Sequence, residues 1–123
     1  YLASDVTFDN WHQHMEKLLT MMRENQIFYE NTISASPQCF EDYLFQITCT
    51  LFEEAIRRLD GSLRLQEADV RLYSRFYSYG MCGIIRDWVR GGMKESPESL
   101  SLRIRKLAND SEKMASLRLQ GQF

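Results

Sequence analysis

Apolar residues recur at spacings of three and four along nearly the whole chain, a pattern typical of amphipathic helices. It predicts five helices, over residues 8–22, 27–33, 39–59, 66 to 90 or 91, and from 97 onward. Thr7 or Asp9 is the expected cap of the first helix, Ser34-Ala35-Ser36-Pro37 ends the second, and Asp60-Gly61-Ser62 separates the third from the fourth. Gly92 is the expected end of the fourth helix, and Ser96-Pro97-Glu98 is the expected start of the fifth. After Asn109 the apolar pattern weakens, so we expect fraying there, although Met114 and Leu117 could extend the last helix by a few turns.

No segment alternates β-branched and polar residues over a length that predicts a strand. The sequence also contains no internal repeat and no linker rich in glycine, proline or serine. We therefore expect an all-α bundle of about five helices that forms a single domain over residues 1–123.

The fourth helix divides into three faces when its residues are placed at about 100° intervals. One face is expected to meet water, and its members are Arg71, Arg75, Ser78, Cys82, Arg86 and Arg90. The opposite face is expected to fill the core, with Val70, Tyr73, Tyr77, Met81, Ile84, Ile85 and Trp88. Between them lies a set that we call the glycine strip: Leu72, Phe76, Gly80, Gly83 and Asp87.

The glycine strip needs an explanation because a glycine inside a helix costs about 0.5–1 kcal/mol relative to alanine. Small residues at 80 and 83 would let a neighbouring helix approach closely, with Phe76 filling the flanking groove. On that interpretation the strip is a second helix-packing surface. The alternative, to which periodicity alone gives nearly equal weight, is that the glycines admit bulky side chains from the same chain.

Composition narrows the possible partners and location. The formal net charge is -2 and no block of basic residues stands apart from acidic neighbours, which argues against a phosphate-binding surface for nucleic acid. The three cysteines form no CxxC pair and are odd in number, as expected for reduced thiols in the cytoplasm. No stretch is apolar enough to predict a membrane span.

Residue patterns that would indicate catalysis or metal binding are absent from the sequence. His12 and His14 are two positions apart on a helix, so they point in different directions and do not share a metal. No nucleophile setting, acid/base pair or phosphate-binding glycine loop is recognisable, so we expect neither an enzyme nor a cofactor. Methionines and aromatic residues are numerous enough to line an adaptable apolar cavity, although an ordinary core explains each of them equally well.

The stretch 76–100 contains a specific set of residues: Phe76, Tyr77, Gly80, Ile84, Trp88, Val89, Gly92-Met93, Ser96-Pro97-Glu98 and Leu100. In these residues it resembles the C-terminal region of the TetR family of bacterial transcriptional regulators, especially the subgroup that contains the activator of dihydroxyacetone kinase genes. Outside this run the chain is similar to the family only in its order of helices.

The resemblance implies a domain that dimerises and senses an effector, while DNA binding belongs to an N-terminal helix-turn-helix domain that this chain lacks. The family's dimer interface is a four-helix bundle, and the resemblance implies that the interface residues here are Leu72, Phe76, Gly80, Gly83, Asp87, Leu100, Ile104 and Leu107. For the family's effector cavity, it implies the lining residues Trp11, Met15, Leu18, Ile47, Leu51, Tyr73 and Tyr77. In the nearest subgroup the effector can be a protein co-regulator, so a small apolar or aromatic molecule and a protein both remain open.

The sequence therefore predicts the homodimeric regulatory domain of a TetR-like transcriptional regulator. Two alternatives remain: a stand-alone helical adaptor that uses the glycine strip to hold a different protein, and a small helical enzyme.

Overall fold

The computed structural model describes residues 10–59 and 66–119, with side chains described for residues 10–58, 66–108 and 110. Five helices account for these ranges, and no strand is present within them. They are α1 (Trp11–Glu24), α2 (Gln26–Ala35), α3 (Pro37–Leu59), α4 (Glu67–Arg90) and α5 (Pro97–Leu119). The predicted all-α class is confirmed, whereas the expected caps at Thr7 and Asp9 and the break at 60–62 lie outside the described residues.

Several helix boundaries differ from the predictions by a few residues. α2 ends at Ala35, just before Pro37 as predicted, whereas α3 already begins at Pro37 instead of near Cys39. A proline in the first turn loses no helical hydrogen bond, and the amide of Phe40 donates to the Ser36 carbonyl over 3.1 Å. At the other end of the chain α5 continues to Leu119, so the helix extends past Asn109 as Met114 and Leu117 allowed.

The turn between α4 and α5 follows the predicted signals. Gly92 has a φ of +88°, which suits glycine, and the amide of Met93 donates back to the Trp88 carbonyl over 2.8 Å. The indole of Trp88 donates to the Glu95 carbonyl over 2.8 Å. Ser96 then caps α5 by accepting a hydrogen bond from the Ser99 amide at 3.1 Å. These bonds fix the direction in which α5 leaves α4.

Two helix pairs dominate the packing: α3 against α4, and α1 against α5. α2 packs on α3 and α4 and to a lesser extent on α1, and the Gln26 side chain donates to the Gly92 carbonyl over 3.1 Å. The core between these helices is almost entirely apolar, and its fully buried members include Met15, Leu19, Met22, Phe40, Leu44, Ile85 and Val89. Within the described residues, the backbones of α4 and α5 do not pack directly on each other.

The buried face of α4 is rotated by roughly 50° about the helix axis from the predicted one. Ser74 and Ser78 are fully buried, and Cys82 is half-buried with its sulfur 3.6 Å from the Thr48 hydroxyl of α3. The expectation that Ser78 and Cys82 meet water is therefore wrong, because small side chains let α3 and α4 approach closely. Tyr73 and Tyr77, which were expected in the core, are partly exposed instead.

An ion pair across the α3–α4 packing also holds the two helices in register. The guanidinium of Arg86 donates to the Glu41 carboxylate over 2.6 Å, and both side chains are partly exposed. Near the other end of the two helices Arg57 pairs with Glu67 in solvent. Pairs this exposed add little stability, so the apolar core carries most of the fold.

Candidate functional site

The glycine strip lies on the outer face of α4, directly opposite the residues that α4 buries. Leu72 is 62% exposed and Phe76 is 72% exposed, while Gly80 and Asp87 are also exposed and Gly83 is half-buried. Large apolar side chains exposed along one helix face are typical of an interaction surface. In the described part of the chain, nothing covers this one.

The surroundings of the two glycines decide between the two explanations of the strip. A Cβ built on Gly80 would meet no atom within 4 Å, and one on Gly83 would meet only the end of the Arg86 side chain at 4.0 Å. Neither glycine admits a bulky side chain from the described residues. The alternative that they do so is wrong for this part of the chain, and the space beside them is open.

An apolar groove begins beside Gly80 and runs between α4 and α5. Its volume is about 510 Å³, within the range of small-molecule sites. Its lining consists of Trp11, Phe52, Phe76, Tyr77, Tyr79, Gly80, Met81, Ile84, Ile104, Leu107 and Ala108. None of these residues carries a charge, so the groove suits an uncharged apolar occupant.

Aromatic rings that contact one another form one wall of the groove. The Phe52 ring of α3 lies 5.5 Å from Trp11 and 5.6 Å from Tyr77, measured between ring centres, and both ring pairs are tilted. Phe76 meets Tyr77 edge to face at 5.7 Å. Because Trp11, Phe52 and Tyr77 belong to three different helices, a molecule in the groove touches α1, α3 and α4 together.

The structure separates the implied effector residues into two groups. Trp11 and Tyr77 both line the groove. Met15, Leu18 and Leu51 are buried in the core, and Ile47 is half-buried against the same core. Tyr73 is 45% exposed on α4 and does not line the groove.

Sequence reasoning missed several groove residues. Phe52 and Met81 are the clearest, since both are buried and both face the groove. The apolar positions of the third helix include Leu51, and Phe52 is the next residue along the chain. Its aromatic side chain beside Leu51 was the signal that could have placed it in the site.

The implied interface residues of α5 also divide. Leu100 and Ile104 are buried in the domain's own core, whereas Leu107 is 59% exposed. Leu107 and Ile104 both border the groove, which therefore lies between the glycine strip and the exposed part of α5.

In residues 10–59 and 66–119, as far as their side chains are described, no three His, Cys, Asp or Glu side chains come together as metal ligands. Burial raises the pKa of the Cys82 thiol, which disfavours the nucleophilic thiolate form. None of the described helices is both long and apolar enough to cross a membrane.

Fold and site together define an all-α domain with an exposed apolar helix face and an uncharged binding groove. A family model described as a transcriptional regulator C-terminal region, of the TetR type, matches residues 9–110. The chain therefore belongs to the TetR family of transcriptional regulators, in its C-terminal region. Domains of this family typically dimerise and bind small-molecule effectors. The curated proteins contain no significant match to the chain.

Proposed function

We propose that this chain is the effector-sensing, homodimerising domain of a TetR-type regulator and works without catalysis. The observation that carries the proposal is the exposure of the glycine strip, with Phe76 72% exposed between Leu72 and Gly80. In a two-fold dimer a patch on one subunit contacts the same patch on the other, so the glycine strip would supply both sides of the interface.

The size of the outer face supports dimerisation. α4 has 24 residues. At ~1.5 Å per residue and ~10 Å across a helix, α4 presents a face of roughly 360 Å², and α5 over its whole length a face of similar size. A stable protein interface buries about 800 Å² on each partner, so the faces of both helices together approach that area. Gly80 and Gly83, with open space above them, would allow two copies of α4 to cross closely.

The groove supports effector binding. It brings Trp11 and Tyr77, both implied by the family resemblance, into one apolar site, and its lining favours a small uncharged aromatic molecule. A protein co-regulator remains the alternative effector, because the run 76–100 is similar to the subgroup of the dihydroxyacetone kinase activator. In either case the effector would favour one of two arrangements of the subunits and so change the spacing of DNA-binding domains attached to them.

Gly83→Leu tests the proposed dimer. A Cβ at position 83 meets only the Arg86 side chain among the described residues, so the fold should accept the substitution and gain about 0.5–1 kcal/mol of helix propensity. At a close contact between two helices the same side chain overpacks the interface by ~1–3 kcal/mol at each site. Sedimentation equilibrium should show a dimer dissociation constant at least tenfold higher, with no loss of helicity.

Ala68→Leu is the matched control, because Ala68 is exposed in the first turn of α4 and lies outside the glycine strip. It should leave the dissociation constant unchanged. Equal weakening by both variants would show that the strip is not the interface. A wild-type chain that stays monomeric at all concentrations would contradict the dimer and favour the adaptor.

A further inference from the structure

The groove and the glycine strip are one continuous surface. Phe76 and Gly80 belong to the strip and also line the groove, and Leu107 lines the opposite side of the groove mouth. Phe76 is 72% exposed and Leu107 is 59% exposed, so the mouth opens on the outer face of the domain. A second copy seated on the strip would therefore lie over the opening.

The burial of the lining changes from floor to mouth. Trp11, Phe52 and Ile104 are buried and form the inner part, whereas Phe76 and Leu107 at the rim face solvent. The backbones of α4 and α5 do not pack on each other within the described residues, and the groove lies between them. As far as the side chains are described, one chain thus encloses a ligand on its inner side and leaves its outer side in water.

The chemistry of the lining defines the ligand class. None of the described side chains that line the groove is charged, which disfavours an ionised ligand, because such a ligand would lose its hydration without gaining a partner. The rings of Trp11, Phe52 and Tyr77 offer stacking and edge contacts to a planar molecule. The groove therefore selects an uncharged aromatic compound.

We propose that the second subunit completes this site, so that an uncharged aromatic ligand binds the dimer more tightly than the monomer and promotes dimerisation. The inference rests on the dimer proposed above. A ligand capped by a second apolar strip loses its remaining contact with water and gains contacts with two chains. Because ligand binding and subunit association are linked, a ligand that binds the dimer more tightly than the monomer also lowers the dimer dissociation constant, through the same coupling free energy.

Sedimentation velocity across a concentration series, with and without saturating Nile red, tests the linkage on the 123-residue chain. Nile red is an uncharged planar dye whose fluorescence rises in apolar surroundings. We expect it to lower the dimer dissociation constant at least fivefold, and its fluorescence per chain should rise with protein concentration as dimers form. A dissociation constant that is unchanged or raised by bound dye would overturn the inference while leaving the proposed dimer intact.

Two variants separate the inference from the proposed function. Leu72→Asp changes a strip residue that does not line the groove, so it should weaken dimerisation and dye binding together. Ala108→Phe fills the groove from α5, so it should remove the dye response and leave dimerisation without dye unchanged. Dye binding that survives Leu72→Asp at full strength, or no dye binding by the wild-type chain, would contradict the shared site. Absence of any wild-type dimer would refute the inference and the proposed dimer together.

Discussion

Ser74 and Ser78 form a matched pair on the buried face of α4 that tests the observed packing. Both are fully buried and lie one turn apart. The Ser74 hydroxyl donates to the Val70 carbonyl over 2.7 Å and lies 3.1 Å from the Arg71 carbonyl. The Ser78 hydroxyl has no hydrogen-bond partner among the described residues. Removing the two hydroxyls should therefore affect stability differently.

Ser78→Ala should raise the free energy of unfolding by about 1–2 kcal/mol. A buried hydroxyl without a partner costs about 1–3 kcal/mol, and alanine adds up to ~0.5 kcal/mol of helix propensity. Ser74→Ala loses a hydrogen bond worth ~0.5–1.5 kcal/mol and gains the same propensity, so its stability should stay near the wild-type value or fall slightly. At ~4 °C per kcal/mol the two variants should differ in Tm by roughly 4–12 °C.

Urea denaturation followed by circular dichroism measures both effects. The protein concentration must be the same for every variant, since association adds to the apparent stability. Neither serine lies on the glycine strip, so the dimer dissociation constant should not change. Equal stability of the two variants, or a lower stability for Ser78→Ala, would refute the observed orientation of α4.

Two further predictions concern a buried tyrosine and the α4–α5 turn. Burial and a hydrogen bond with Tyr43 raise the pKa of Tyr29 from 10.0 to about 12, so stability should fall as the pH rises between these values. Spectrophotometric titration should show that Tyr29 ionises at a lower pH in Tyr43→Phe than in the wild-type chain. An identical titration in both proteins would contradict the contact between Tyr29 and Tyr43. Gly92→Ala should destabilise the domain by ~1 kcal/mol in urea titrations because φ is +88° while the space for a Cβ is open. Gly92→Asn should lose less, and equal losses would show that backbone conformation is not the cause.

The helices could be predicted from the sequence because their signals are local. The serine before Pro97 caps α5, and the glycines at 91 and 92 follow the end of α4, as their chemistry requires. Each signal depends on hydrogen bonds within one turn, so no knowledge of the tertiary structure is needed to read it. Pro37 follows the end of α2, as predicted, and also begins α3, which was predicted to start near Cys39.

The orientation of α4 could not be predicted, because periodicity ranks positions by hydrophobicity and ignores how closely helices approach. That ranking drew Tyr73 and Tyr77 into the predicted core. The α3–α4 contact instead uses Ser74 and Ser78, since two tyrosines would hold the helix axes apart. For the same reason only part of the groove could be predicted. Phe52 lines the groove from α3, and its position depends on how α3 packs on α4.

The glycines of α4 nevertheless gave the most direct sequence evidence for a partner surface. Together Gly80 and Gly83 cost the helix ~1–2 kcal/mol relative to alanine. The structure describes no close approach of the chain's own atoms that uses the space they leave. Among the described residues nothing therefore compensates for this cost, which supports the proposed association through this helix face. The apolar neighbours Leu72 and Phe76, both exposed, supply the buried area that such an association requires.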